Sequence, residues 1–135
     1  MIKIYTDGAW KKHLDKAGAG VAIIYDDGRI EVCHKLLGPV TNNSAELQAV
    51  QIALYQILGR GLTEEEVIIK TDSKYVIGML TLDWKPKANK NIIASAKNLL
   101  EDLPNVKLEW VKGHSKDKYN QLADILANIA VDQSF

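Results

Sequence analysis

The order of strand-like and helix-like segments most constrains the fold of this chain of 135 residues. Residues 2–7 alternate between apolar and polar side chains, and Ala19 to Tyr25 form a second, more apolar run. The pair Asp27-Gly28 is a two-residue hairpin signal that leads into a third strand at Arg29 to Lys35. These three segments predict an antiparallel meander.

The rest of the chain alternates between helices and strands. Helical spacing and flanking Gly or Pro residues predict helices over residues 43–58, 73–80, 91–103 and 118–132. Short apolar runs predict strands at residues 67–71 and 106–111. A meander followed by βα units favours a mixed sheet with helices on its faces. The length fits one domain, residues 1–135, that can bury its own core.

Two faces of the last predicted helix differ in side-chain size. An apolar stripe at helical spacing is predicted to face the core, and it consists of Leu122, Ile125, Leu126 and Ile129. Small residues on a second face would let the helix backbone approach a sheet, and they are Ala123, Ala127 and Ala130. Asp117 is the predicted N-cap. Asp124 flanks the small face, from where it could reach the edge of the sheet.

Four acidic residues lie where this fold could bring distant segments together. Asp7 and Asp72 each follow a strand-like run, while Glu46 and Asp124 lie within helix-like segments. Clustered carboxylates repel one another, which raises their pKa values unless cations neutralise them. Hard oxygen ligands of this kind suit Mg²⁺ or Mn²⁺ better than zinc. The pattern therefore predicts one metal site.

The composition is that of an ordinary globular protein, with 47% hydrophobic and 25% charged residues. No apolar run approaches the roughly 18 residues of a membrane span. The start of the chain has no signal-peptide pattern, and the single Cys33 can form no internal disulfide, so we expect a cytoplasmic protein. Cys33 lies inside a predicted strand without a partner base, which favours a small buried apolar residue over a nucleophile.

The charge pattern leaves two interpretations of one lysine-rich stretch open. A formal net charge of zero argues against a protein that binds polyanions mainly through its overall charge. Lys85, Lys87 and Lys90 nevertheless gather around Trp84. They form either a solvated loop or a surface that follows phosphates, with the indole as an aromatic platform.

Five short motifs occur in a fixed order along the chain: Thr6-Asp7-Gly8-Ala9, Ala45-Glu46-Leu47, Thr71-Asp72-Ser73 with Tyr75, Trp110-Val111-Lys112-Gly113-His114-Ser115, and Asn120 with Ala123-Asp124. Together they resemble the motifs of the type 1 ribonuclease H family over essentially the whole chain. One motif would be weak evidence, whereas five in order make coincidence improbable. The resemblance implies an α/β, ribonuclease H-like fold with a five-stranded mixed sheet in the order 3-2-1-4-5 and helices on both faces.

The resemblance also implies an activity, the hydrolysis of the RNA strand of RNA/DNA hybrids. By similarity, Asp7, Glu46, Asp72 and Asp124 are catalytic residues that hold two Mg²⁺ ions, with Asp7 as the bridging ligand and Mn²⁺ as a substitute. The expected products carry a 5′-phosphate and a 3′-hydroxyl, because water is the nucleophile. His114 matches a family position from which an imidazole can shuttle protons or help the product leave.

The hybrid is expected to be recognised by its shape and by its 2′-hydroxyl groups. By similarity, Asn42 and Asn43 lie in the minor groove, and Asn120 offers a further hydrogen-bonding group. Gly8 would let the backbone approach the RNA closely. Asn42-Asn43-Ser44 is also an ordinary helix N-cap pattern, and both roles can coexist.

Some bacterial members of the family carry a long basic protrusion that this chain lacks. Only residues 84–90 occupy that region, which resembles the short branch of the family. By similarity, Trp84, Lys85 and Lys87 contact the DNA strand, and we expect modest affinity. Met1 and the compact ends favour a free-standing enzyme over a domain of a larger polyprotein, and we expect a monomer without membrane attachment.

Two alternative functions stay open. Another nuclease or strand-transfer enzyme of the same fold would share the carboxylates, but such enzymes rarely combine Gly113-His114-Ser115 with an asparagine-rich helix start. A non-catalytic nucleic-acid-binding module gains nothing from clustered negative charge. An assay on an RNA/DNA hybrid, with and without Mg²⁺, distinguishes the three functions.

Overall fold

The computed structural model describes residues 1–113 and 116–132. The strands of this part are β1 (Ile2–Lys11), β2 (Lys16–Ile24), β3 (Ile30–Gly38), β4 (Val67–Thr71) and β5 (Val106–Trp110). Its α-helices are α1 (Asn42–Gly59), α2 (Lys74–Thr81), α3 (Lys90–Glu101) and α4 (Lys118–Val131), and a short 3-10 turn spans Lys12–Leu14. None of these helices combines the length and apolarity that a membrane crossing requires.

The described strands form one mixed sheet in the order β3-β2-β1-β4-β5, which confirms the predicted order. β1 pairs antiparallel with β2 and parallel with β4, and β4 pairs parallel with β5. Pairing between β1 and β4 ends at Tyr5 with Lys70, so Asp7 and Asp72 both follow the last paired residues at the same edge of the sheet.

The two hairpins differ from their predictions in detail. β1 extends to Lys11 and β2 begins at Lys16, so both strands are longer than the segments predicted at residues 2–7 and Ala19 to Tyr25. The predicted β2–β3 hairpin is confirmed, but the prediction of a two-residue turn is wrong. The Gly28 N–H donates to the carbonyl of Tyr25 at 3.0 Å, and Gly28 has a φ of +90°. A three-residue loop that ends in a left-handed glycine produces this geometry.

Helices cover both faces of the sheet, as predicted. On one face, side chains such as Ile4 and Ile23 pack with Leu47 and Leu54 of α1 and with residues of α2 and α3. Cys33 is half-buried against this cluster, and burial raises the pKa of its thiol. A raised pKa suppresses the reactive thiolate, in agreement with the predicted apolar role.

The other face of the sheet packs against α4 through small residues. A Cβ atom on Gly18 would lie 2.4 Å from the carbonyl oxygen of Ala127, and one on Gly20 would lie 2.3 Å from that of Ala123. The two glycines of β2 therefore let the helix backbone rest almost directly on the strand. This contact confirms the prediction for the small-residue face.

The prediction that the apolar stripe of α4 faces the core is wrong for Ile125 and Ile129, whereas Leu122 and Leu126 pack in a small cluster with Tyr5 and Ala22. Ile125 and Ile129 are 53% and 48% exposed, Leu122 is half-buried, and only Leu126 is buried. The close approach to β2 turns the alanines toward the sheet, and the two isoleucines consequently point away from it.

Candidate active site

Three carboxylates from three different elements meet at one edge of the sheet. Asp7 comes from β1, Glu46 from the beginning of α1, and Asp72 from the residue after β4. One oxygen of each lies within 4.8 Å of the others. Asp7 and Glu46 are each only 7% exposed, whereas Asp72 is half-buried. The topology therefore brings together three of the four carboxylates that were predicted to form one metal site.

A cleft of about 610 Å³ surrounds this cluster. Its lining includes eight of the predicted site residues: Asp7, Gly8, Asn42, Asn43, Glu46, Asp72, Asn120 and Asp124. Asp124 is half-buried on α4, and its Oδ1 accepts a hydrogen bond from the side-chain amide of Asn128 at 3.2 Å. Asn120 lies one turn earlier and is 5% exposed. α4 thus contributes the fourth carboxylate and one amide to the cleft.

Gly8 joins β1 to the first turns of α1. Its N–H donates to Asp7 Oδ1 at 3.0 Å and also to Glu46 Oε1. A Cβ atom at this position would lie 2.6 Å from the backbone nitrogen of Glu46, so no side chain fits. The predicted approach of Gly8 to RNA stays a prediction, but the contact with α1 already requires glycine.

Thr41 caps α1, and the capping role predicted for Asn42-Asn43-Ser44 is therefore wrong. The Thr41 hydroxyl accepts a hydrogen bond from the Ser44 N–H at 3.2 Å. Because the cap lies one residue earlier, Asn42 and Asn43 are exposed at the cleft. Their amides are available to a ligand.

The motif after β5 contacts Asp72. The Trp110 indole N–H donates to the carbonyl oxygen of Asp72 at 3.1 Å. A Cβ atom on Gly113 would lie 3.0 Å from Asp72 Oδ2, so the loop passes close to this carboxylate. His114, the predicted proton-transfer residue, lies outside the described residues, and its role stays a prediction.

Burial and mutual repulsion raise the pKa values of the inner carboxylates. Burial and the charge of Asp72 raise the pKa of Asp7 to about 7. Burial and the charges of Asp7 and Asp72 raise the pKa of Glu46 as well. Without a cation, the cluster therefore retains protons near neutral pH. All-oxygen donors at this spacing fit a hard divalent cation, which would replace those protons.

A second groove, of about 430 Å³, contains the predicted DNA-strand residues Trp84, Lys85 and Lys87. Asn43 and Tyr75 line both this groove and the acidic cleft, so the two are adjacent. The structure therefore brings the lysine-rich stretch to the side of the carboxylates. This position favours the nucleic-acid interpretation over a remote solvated loop.

Sequence reasoning missed Lys74, the only cation among the described residues that line the acidic cleft. Its ammonium lies 5.1 Å from the centre of the Trp110 ring, a cation–π distance. The adjacent Thr71-Asp72-Ser73 motif could have drawn attention to it. Nothing in the sequence shows that the Lys74 side chain reaches the cleft.

The RNase H family model matches residues 1–132. The chain belongs to the ribonuclease H family. A ribonuclease H from Ruthia magnifica subsp. Calyptogena magnifica is 37% identical, over 98% of this chain and 96% of that protein. A ribonuclease H from Schizosaccharomyces pombe is 39% identical over 92% of this chain, but that match covers 50% of the yeast protein.

Solved ribonuclease H structures share the fold. The crystal structure of LC11-RNase H1 in complex with an RNA/DNA hybrid has a TM-score of 0.82 and 29% identity, and the match covers 98% of this chain and 97% of that one. RNase H1 from the archaeon Halobacterium salinarum NRC-1 has a TM-score of 0.77 and 26% identity, with 98% of each chain covered. Within the family, this chain has the compact short form, because α2 ends at Thr81 and α3 begins at Lys90.

Proposed function

We propose that this ribonuclease H is an endonuclease that hydrolyses the RNA strand of RNA/DNA hybrids and leaves 5′-phosphate and 3′-hydroxyl ends. The observation that carries the proposal is the cluster of Asp7, Glu46 and Asp72, which have oxygens within 4.8 Å of one another, in a chain of this family. A polyanion would be repelled by such a cluster unless cations were bound there. The hybrid bound by the structural relative LC11-RNase H1 supports the choice of substrate.

The four carboxylates Asp7, Glu46, Asp72 and Asp124 would hold two Mg²⁺ ions, for which Mn²⁺ would substitute. When bound, the ions supply an activated water and stabilise the departing 3′ oxygen. The protein's task is to hold the ligands in place before the substrate arrives. Hydrogen bonds from Gly8 to Glu46, from Trp110 to the backbone of Asp72, and from Asn128 to Asp124 perform this task.

Neutral groups around the cluster would recognise the RNA strand. Asn42, Asn43 and Asn120 line the cleft and can donate to or accept from 2′-hydroxyl groups and minor-groove edges. Gly8 leaves room for the backbone of the substrate. His114 would assist proton transfer or product release.

The groove of Trp84, Lys85 and Lys87 would hold the DNA strand. It adjoins the acidic cleft through Asn43 and Tyr75, so one duplex could contact both surfaces. Lysines would contact phosphates, and the indole would provide a platform for a sugar or base. We propose that residues 1–135 carry out this function as one monomeric domain.

A labelled RNA/DNA hybrid, duplex DNA and single-stranded RNA, each incubated with Mg²⁺ or EDTA, test the proposal. We expect that only the hybrid is cleaved, and only when metal is present. Phosphatase should remove phosphate from the 5′ ends of the products. Asp72→Asn should abolish cleavage, whereas the matched change Asp102→Asn, at an exposed position, should not. Equal cleavage of duplex DNA would indicate a different nuclease, and metal-dependent binding without cleavage would indicate a non-catalytic module.

A further inference from the structure

Trp84 folds back onto α2. The helix ends at Thr81, and Asp83 adopts a φ of 55°, a left-handed conformation that reverses the chain. The Trp84 N–H then donates to the carbonyl oxygen of Gly78 at 3.2 Å. The backbone of Trp84 is therefore fixed against the preceding turn of the helix.

The indole ring of Trp84 rests on Gly78. A Cβ atom on Gly78 would lie 2.1, 2.2 and 2.4 Å from ring atoms Cε3, Cδ2 and Cζ3. Any side chain at position 78 would therefore occupy the space of the ring. Gly78 is buried, whereas Trp84 remains 47% exposed beside the groove. Since glycine destabilises a helix interior relative to alanine, its presence here matches the need for space.

The far end of the lysine-rich stretch is also attached to α2. The side-chain amide of Asn89 donates to the hydroxyl of Tyr75 at 3.1 Å. Lys85 and Lys87 therefore lie on a short segment that contacts α2 at both ends. A platform held in this way loses little conformational freedom when a ligand binds.

We propose that Gly78 is a positioning residue for the DNA strand, because it provides the seat on which the Trp84 indole is held as a rigid platform beside Lys85 and Lys87. This inference rests on the proposed function, which assigns Trp84 to the DNA strand. Gly78 itself would touch no substrate.

The test is Gly78→Ala, measured on the whole protein with Mg²⁺ and a labelled RNA/DNA hybrid. The new methyl group should push the half-exposed ring into solvent and leave the helix backbone in place. We expect KM for the hybrid to rise by at least about fivefold, since stacking on an aromatic side chain contributes roughly 1 kcal/mol or more. kcat should stay unchanged, and tryptophan fluorescence should shift to the red. Any fall in melting temperature should be restored by Trp84→Ala in the double variant, because the methyl group then has no ring to displace.

Trp84→Ala and the double variant show whether Gly78 acts through Trp84. Trp84→Ala should raise KM at least as much as Gly78→Ala, and the double variant should be no worse than Trp84→Ala alone. Gly59→Ala is the matched control, because a Cβ atom there meets nothing within 4 Å. It should leave KM and fluorescence unchanged.

Three results would overturn the inference. The first is a wild-type KM for Gly78→Ala together with a raised KM for Trp84→Ala; the second is additive effects in the double variant. The third is a melting temperature of Gly78→Ala that is lowered and not restored by Trp84→Ala, because the methyl group would then disturb the helix itself. A wild-type KM for Trp84→Ala would instead remove the proposed DNA-strand role of Trp84.

Discussion

At the scale of single residues, Gly8 shows why a motif can be recognised before its physical reason is known. The sequence places Gly8 beside a predicted metal ligand, which suggested close approach of the substrate. The structure adds a contact between backbones, because a Cβ atom would lie 2.7 Å from the carbonyl carbon of Ala45. Such a contact between segments far apart in the chain cannot be predicted from local sequence. The same holds for the contact of Lys74 with Trp110, whose ring centre lies 5.1 Å from the Lys74 ammonium.

Gly8→Ala should both destabilise the protein and abolish cleavage of the hybrid. Its methyl group would overlap backbone atoms of α1. Unlike the end of a flexible side chain, these atoms cannot move alone, so β1 and α1 must separate. We expect a loss of about 1–3 kcal/mol in the free energy of unfolding, the usual range for overpacking. Urea melts measure this loss, with Gly59→Ala as the control. Full stability combined with weaker hybrid binding would mean that Gly8 serves only the contact with RNA.

At the scale of elements, the sequence predicts where the strands and helices lie, but it does not predict which face of α4 packs on the sheet. Apolar residues at helical spacing predict a buried face, so the stripe that contains Ile125 is expected to be buried. The sheet instead accepts the smaller face, because Gly18 and Gly20 on β2 leave room for a helix backbone. The Gly18-Ala19-Gly20 run indicates a strand that a helix backbone can approach closely. It predicts the orientation of α4 only if α4 is already known to pack on β2, and these two elements are far apart in the chain.

The orientation of α4 predicts unequal effects of two similar substitutions. Leu126→Ala should lower the free energy of unfolding by about 2–4 kcal/mol, because it leaves a cavity at a residue that is 6% exposed. Ile125→Ala should change it by less than about 1 kcal/mol, since that side chain is 53% exposed. Urea melts of both variants provide the measurement. Equal losses would show that the Ile125 side chain is covered in solution.

The segment between α2 and α3 should control affinity and its dependence on salt. The double change of Lys85 and Lys87 to Ala should weaken hybrid binding and reduce the slope of log K against log salt by about one unit per lost phosphate contact. Turnover at saturating hybrid should change little. The double change of Lys3 and Lys107 to Ala is the control, because it removes the same charge from exposed positions away from both grooves. An unchanged slope for the first variant would restore the interpretation as a solvated loop.

At the scale of the whole molecule, the topology and the carboxylate cluster could both be anticipated. Parallel strands end at the same edge of a sheet, so Asp7 and Asp72 had to lie near each other once β1 and β4 were neighbours. The depth of burial could not be anticipated, because it depends on how closely α1 and α4 approach that edge. This depth determines the protonation of the cluster, and through it the stability of the whole protein.

The metal-free protein should lose stability as pH rises. The native pKa of Asp7 is about 7, against an ordinary value of 3.8, so the native state binds more protons than the unfolded state between these values. The stabilisation is fully present below about pH 4 and is lost as pH rises through 7, and the raised pKa of Glu46 acts in the same direction. In EDTA, the free energy of unfolding should fall by roughly 2–4 kcal/mol between pH 4 and pH 8.

Asp7→Asn separates this effect from other sources of pH dependence, because it keeps the shape of the side chain and removes its titration. In EDTA at pH 8 the variant should be more stable than the wild type and should vary less with pH, whereas Asp102→Asn should behave like the wild type. Adding Mg²⁺ at pH 8 should raise the melting temperature of the wild type and not that of Asp7→Asn, since only the fully charged cluster binds the ions well. Thermal melts across pH, with EDTA and with Mg²⁺, measure all of these changes. If the variant melted below the wild type at pH 8 in EDTA, Asp7 would be a structural hydrogen-bonding residue, and the proposed electrostatic origin of metal binding would be wrong.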